Sequence, residues 1–130
     1  MQQEIYKICD AGEWRNAVLD GHYRGSAVDL SDGFIHFSTG DQVRQTAALH
    51  MKGVEGLVLV SVPVAPLGDD LKWEEARNGQ LFPHLYAALP TDLAAEVTPL
   101  PLGADGLHVF PDTLSGNVPQ GWIAEKRIMI

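Results

Sequence analysis

The run "LVLVSVPV", Leu57 to Val64, limits the fold of this 130-residue chain more than any other segment. It is apolar almost throughout and rich in β-branched side chains, so it reads as a strand, and its lack of polar alternation means that both of its faces are covered. Pro63 and Pro66 end it. A strand of this kind belongs at the centre of a sheet, and the other segments must supply its neighbours. "EIYKIC" (Glu4 to Cys9) has a strand's length and composition, and Asp10 then caps a helix over "AGEWRNAVLD" that buries Trp14, Ala17 and Val18. "LKWEEA" alternates as a further strand, with Trp73 read as core.

"GFIHFS" feeds directly into "STGDQVRQTAALHM", a second helix that Ser38 or Thr39 can cap, since Thr39-x-x-Gln42 matches a capping box. Val43, Ala47 and His50 recur there at helical spacing. "GHYRGSAVDLSDG" reads as a polar connection too long for a tight turn, of the kind that often lines sites. Pro83 in "QLFPHLYAALP" is placed to open one or two helical turns, while "EVTPLPL" and "GLHVFP" read as two short strands about a glycine-containing turn. Strands interleaved with about two helices early in the chain make one α+β domain over residues 1–130. The final "WIAEKRIMI" fits a strand, a docking segment or an oligomer contact, and the oligomeric state is left open.

Charge narrows the function. The formal net charge is −8, and the nine Lys and Arg are scattered, so a nucleic-acid backbone would be repelled. A small anion held by two or three residues is not excluded. Nothing approaches the roughly 20 apolar residues of a membrane span or a charged-then-apolar signal, and the single Cys9 allows no intrachain disulfide, which together predict a cytoplasmic protein. Cys9 lies in an apolar strand and is read as a buried small hydrophobe.

The chemistry-bearing residues are histidines. If "GFIHFS" is a strand, Ile35 and Phe37 face one way, while Phe34, His36 and Ser38 face the other. His36, Ser38 and Thr39 then stand beside the N–H groups of a helix start, a natural place for a phosphate or carboxylate. The plain alternative is a core histidine satisfied by one backbone partner. His84 in "FPHLY" follows a proline and lies between Phe82 and Tyr86 on a stiff backbone, and Glu74 and Glu75 fall on opposite faces of their strand, so only one of them can face a cleft. Five histidines without H-x-H or H-E-x-x-H spacing predict no metal site, and no G-x-G-x-x-G, P-loop or G-x-S-x-G is present.

The ordered motifs "IYKI", "DGFIHFST", "LVLV", "LKWE" and "LFPHLY" resemble the small bacterial family known as domain of unknown function 952, over about Glu4 to Val109, leaving 112–130 as a C-terminal extension. More distantly, the stretch from Asp32 to Val62 is similar in layout to the RNA 2′-phosphotransferases, which have the ADP-ribosyltransferase fold. That resemblance implies a cleft for NAD, as a substrate, between "IYKIC" and "GFIHFS". It implies catalytic roles for His36, Glu74 and His84, with Glu74 the nearest counterpart of the transferase glutamate. Tyr6, Ser38, Thr39, Arg44 and Tyr86 would contact the cofactor, with Arg44 near a phosphate. Tyr6 and Lys7 stand where many of those enzymes keep a His or Arg on the first strand. The alternative is a non-catalytic module for a small anionic or nucleotide-like ligand.

Overall fold

In the computed structural model, which describes residues 3–112 and 114, the strands in chain order are β1 (Glu4–Asp10), β2 (His22–Tyr23), β3 (Ile35–His36), β4 (Leu57–Pro63), β5 (Leu71–Glu75), β6 (Leu81–Leu85), β7 (Leu89–Pro90) and β8 (Glu96–Leu100). The α-helices are α1 (Ala11–Asp20), α2 (Ala27–Asp32) and α3 (Val43–His50), with short 3-10 turns at Ala65–Asp70, Arg77–Gly79 and Thr91–Leu93. All strand pairing is antiparallel, in sheets of order β1-β4-β8, β2-β7 and β3-β6-β5. This is an α+β domain.

β4 is central, as its composition requires. Val58, Val60 and Val62 pack on one side with Ile5, Cys9, Trp14 and Ile35, while Leu57 and Leu59 pack on the other with Tyr6, Ile8, Val43 and Ala47. A strand that serves two cores has no solvent face, which is why its sequence does not alternate. A reciprocal pair of backbone bonds, Tyr6 N–H to Ser38 O (2.8 Å) and Ser38 N–H to Tyr6 O (2.9 Å), ties β1 to the chain just beyond β3. The first and third sheets are thereby joined.

Several expectations are corrected. Pro83 opens no helix; it lies inside β6, opposite Trp73 on β5. In a strand, the N and O of one residue point the same way, and the Pro83 carbonyl accepts from Phe37 N–H at 3.0 Å. The missing N–H therefore faces β3, and the β3–β6 ladder stops after Ile35–Leu85 and His36–His84, while β5–β6 continues across five pairs. Trp73 is not core but 39% exposed, because β5 is an edge strand with one face to solvent. Val18 is 52% exposed: the buried stripe of α1 is narrow, Trp14 and Ala17, and Val18 falls beyond it. The connection after Gly21 contains β2 and a third helix, α2, and "GLHVFP" contributes only an isolated Leu102–His108 bridge. The "WIAEKRIMI" segment lies outside the described residues. Among those described, no helix is long and apolar enough to cross a membrane.

Candidate functional site

The site begins with a buried ion pair. Ser26 caps α2 by accepting the Asp29 N–H (3.2 Å), and Asp29 Oδ2 accepts the Ser26 N–H in return (2.9 Å), a complete capping box that turns the Asp29 carboxylate inward. Gly25 makes room for it: at φ +115° a Cβ there would lie 2.6 Å from the Asp29 Cβ. Lys7, reaching from β1, meets the carboxylate at 2.8 Å, and both side chains are buried. His36 adds its backbone N–H at 3.1 Å and its Nδ1 at 2.5 Å. One carboxylate thus joins β1, α2 and β3. Burial by itself would raise the Asp29 carboxyl, but the Lys7 charge, the bonds from Lys7 and His36 and the Ser26 N–H outweigh it and hold Asp29 below the usual carboxylate range.

The two histidines of the cleft differ in what they have left to offer. His36 Nε2 lies 3.0 Å from Asp32, so both of its ring nitrogens face carboxylates. Carboxylates only accept, so both contacts are hydrogen bonds at once only when the ring carries both protons. His84 stands opposite His36 in the β3–β6 register, with ring centroids 5.5 Å apart. Phe34 stacks on His84 at 4.1 Å and tilts against His36 at 4.5 Å, fixing both rings. His84 Nδ1 donates to Glu74 Oε1 at 2.8 Å, leaving Nε2 for a ligand. The Tyr86 hydroxyl donates to the same oxygen at 2.7 Å. The bonds from Tyr86 and His84 lower the Glu74 carboxyl below its ordinary range, and the carboxylate raises Tyr86 above its own.

The facing wall comes from α3 and the β5–β6 turn. Thr46 and His50 are four residues apart on α3 and so share a face. Ser38 Oγ meets Thr46 Oγ1 at 3.1 Å. Arg77 sits in a turn closed by Ala76 N–H to Gln80 O at 2.9 Å, with Asn78 and Gly79 both at positive φ, +56° and +75°. Its guanidinium lies over the Phe82 ring at 4.9 Å, with Nη2 3.3 Å from Thr46 Oγ1 and Nη1 3.5 Å from His50 Nε2. These walls border a cleft of about 650 Å³, lined also by Tyr6, Ile8, Met51 and Phe82.

Of the residues expected to form a site, Tyr6, His36, Ser38 and His84 line this cleft. Glu74 and Tyr86 stand behind His84 rather than on the cleft wall. Thr39 is buried and its N–H donates to Gln42 Oε1 at 3.0 Å, but neither Ser38 nor Thr39 caps α3: the helix begins at Val43, with Gln42 at the N-cap position and no side-chain cap bond. Arg44 points elsewhere, donating to the Pro111 carbonyl at 3.1 Å with its guanidinium over Phe110. Lys7, Asp29, Thr46, His50 and Arg77 were not anticipated as site residues. For Asp29 a signal existed, since Ser26-x-x-Asp29 is a capping-box pattern. Burial pushes the Cys9 thiol up to about 12, which fits an inert core residue. Among the described residues no group of three His, Cys, Asp or Glu is arranged to hold a metal ion.

Residues 8–97 match the family described as "Protein of unknown function (DUF952)". The crystal structure of protein CC0527 from Caulobacter crescentus is similar at 48% identity and a TM-score of 0.80, covering 82% of this chain and 94% of that one. The solution NMR structure of CC0527 is similar at 47% identity and a TM-score of 0.77, covering 86% and 97%. Among curated proteins nothing matches the chain.

Proposed function

We propose, for a chain that belongs to the DUF952 family of proteins of unknown function, that the cleft binds a small anionic ligand of nucleotide type, NAD being the first candidate. One observation carries this reading. Lys7, His36, His50, Arg77 and His84 converge on a single cleft of about 650 Å³ whose one acidic wall residue among the described residues, Asp29, is already matched by Lys7 and His36. In a molecule of net charge −8, such a cleft is a local exception that favours a compact anion over a long polyanion. The volume lies within the range of small-molecule sites, roughly 300–1,000 Å³, and the apolar part of its lining suits a flat ring. His84 Nε2 supplies a directed polar contact beside it.

The second reading is ADP-ribosyltransferase-like chemistry, favoured by the Glu74–His84 pair: a carboxylate that orients an imidazole prepares Nε2 to move a proton. A transferase also needs a carboxylate near the anomeric carbon to stabilise developing positive charge. Glu74 is turned to His84 and Tyr86, and Asp29 is saturated, so binding without transfer stands ahead.

Thermal unfolding with NAD, ADP-ribose or nicotinamide at millimolar concentration tests the binding reading: a ligand specific to the folded state raises Tm. The expected result is a rise with NAD and ADP-ribose that His84→Ala reduces. No rise with any of the three would sink it. Nicotinamide release by the wild type, lost in His84→Ala and Glu74→Gln, would instead establish transfer.

A further inference from the structure

Among the described residues, Arg77 is the one guanidinium on the cleft wall, and it makes no ion pair there. Its two near neighbours there, Thr46 Oγ1 at 3.3 Å and His50 Nε2 at 3.5 Å, are not carboxylates and stand at long range, and its Nε is buried with no partner among the described residues. An arginine carries five N–H donors in a planar fork. Leaving a buried one unmatched is costly, and an acidic molecule with 17 Asp and Glu has abundant carboxylates that could have been placed there. None is. The Phe82 ring beneath the guanidinium at 4.9 Å holds its plane by a cation–π contact, which fixes orientation without occupying the N–H edges. The turn carrying Arg77 is closed by its own backbone bonds and held by left-handed Asn78 and Gly79, so the fork is presented from a shaped loop.

We infer that Arg77, with His50 beside it, is the phosphate-binding end of the cleft. This rests on the anionic-ligand reading above and adds to it which group is recognised and where. The groups at this end come from separate elements: the guanidinium donates from the β5–β6 turn and the His50 imidazole stands beside it on α3, while the Thr46 hydroxyl is occupied, accepting from Arg77 and donating to the Gln42 carbonyl at 3.1 Å. A tetrahedral oxyanion with several acceptor oxygens satisfies such a spread better than a planar carboxylate, which a guanidinium fork alone would bind. Lys7 cannot share the task, since its ammonium is committed to Asp29. The ligand is therefore oriented: phosphate toward Arg77, and its ring or ribose toward His84.

The test is isothermal titration of the full chain with inorganic pyrophosphate, ADP-ribose and nicotinamide, for wild type, Arg77→Gln, Arg77→Lys and His84→Ala, each first checked for an unchanged fold by circular dichroism. Pyrophosphate and ADP-ribose are expected to bind wild type, to lose at least tenfold in affinity in Arg77→Gln, and to recover in part in Arg77→Lys. Nicotinamide affinity is expected to be unchanged in Arg77→Gln and reduced in His84→Ala. In the nitrogen–proton NMR spectrum the Arg77 Nε–H resonance, identified by its absence in Arg77→Lys, should shift when pyrophosphate is added. ADP-ribose binding that is equally tight in wild type and Arg77→Gln overturns the phosphate assignment while leaving the anionic-ligand reading standing. Failure of wild type to bind any of the three overturns both.

Discussion

Among the described residues, Lys7 and Arg77 are the lysine and the arginine on the cleft wall, and the fold treats them in opposite ways. Lys7 is buried and matched to Asp29 at 2.8 Å, inside a network that also engages Ser26 and His36. Arg77 is half-buried, unmatched by any carboxylate among the described residues, and carries an unpartnered Nε. The matched cation holds three elements together; the unmatched one is left for a ligand. If that contrast is right, removing Lys7 damages stability and removing Arg77 damages binding.

The largest expected effect follows from breaking the matched end. Lys7→Met leaves the Asp29 carboxylate buried without its cation, and removing one partner of a buried pair typically costs about 3–5 kcal/mol. Urea unfolding should show a loss of that order. Replacing both partners by apolar residues in Lys7→Met/Asp29→Leu should recover part of it, because no uncompensated charge remains. The double variant still loses the tie from α2 to the His36 N–H, so recovery should be incomplete. A single variant with unchanged stability would show that the pair is incidental to the fold.

Acid sharpens the same contrast. The Asp29 carboxyl is held below its ordinary range in the folded protein, so near the unfolded-state value of about 3.9 the unfolded chain binds the proton first. Its contribution is complete above that value and is lost as pH falls through the lower folded-state value. Tm should therefore fall more steeply below about pH 4 in wild type than in Asp29→Asn, whose side chain does not titrate. Parallel curves for the two proteins would remove Asp29 from the account.

Arg77→Ala is expected to cost less than about 1 kcal/mol, mainly the cation–π contact with Phe82, because Arg77 has no ion pair among the described residues to lose. A loss as large as that of Lys7→Met would make Arg77 a structural residue and erase the difference between the two ends.

The same contrast explains what could be read from the sequence. Elements governed by local chemistry were legible: β4 from its unbroken apolar run, α1 from Asp10, which accepts the Glu13 N–H at 3.0 Å, and the facing of His36 and Ser38 from strand alternation. Residues whose role depends on distant partners were not. Asp29 lay in a stretch that read as a polar connection, and its importance comes from Lys7, far away in sequence. Arg44 is placed near a phosphate only by the resemblance to the RNA 2′-phosphotransferases. The inward residues Val43 and Ala47 set the helix so that Thr46 and His50 face the cleft and Arg44 faces Pro111. A lone arginine in a turn, as Arg77 is, has no periodicity to reveal it. Pro83 read as a helix start because proline favours that position, whereas here its missing donor ends a ladder.

The smallest expected effect concerns Glu74, which stands between the two cases: exposed in part, yet accepting from both His84 and Tyr86. Because it is open to water, Glu74→Gln should leave Tm nearly unchanged. Its signature should appear in the phenol of Tyr86, whose titration is raised by the hydrogen bond to the carboxylate and by its charge. Neutralising Glu74 removes the charge that opposes a phenolate, so the Tyr86 transition should move down toward the ordinary tyrosine value of about 10. Phenolate absorbance followed against pH, with Tyr86→Phe subtracted to isolate this ring from Tyr6 and Tyr23, reads the shift directly. A Tyr86 transition that stays where it is in wild type would mean that Glu74 does not hold the hydroxyl in solution. The carboxylate would then be free to turn toward the cleft, and the transfer reading would regain its missing group.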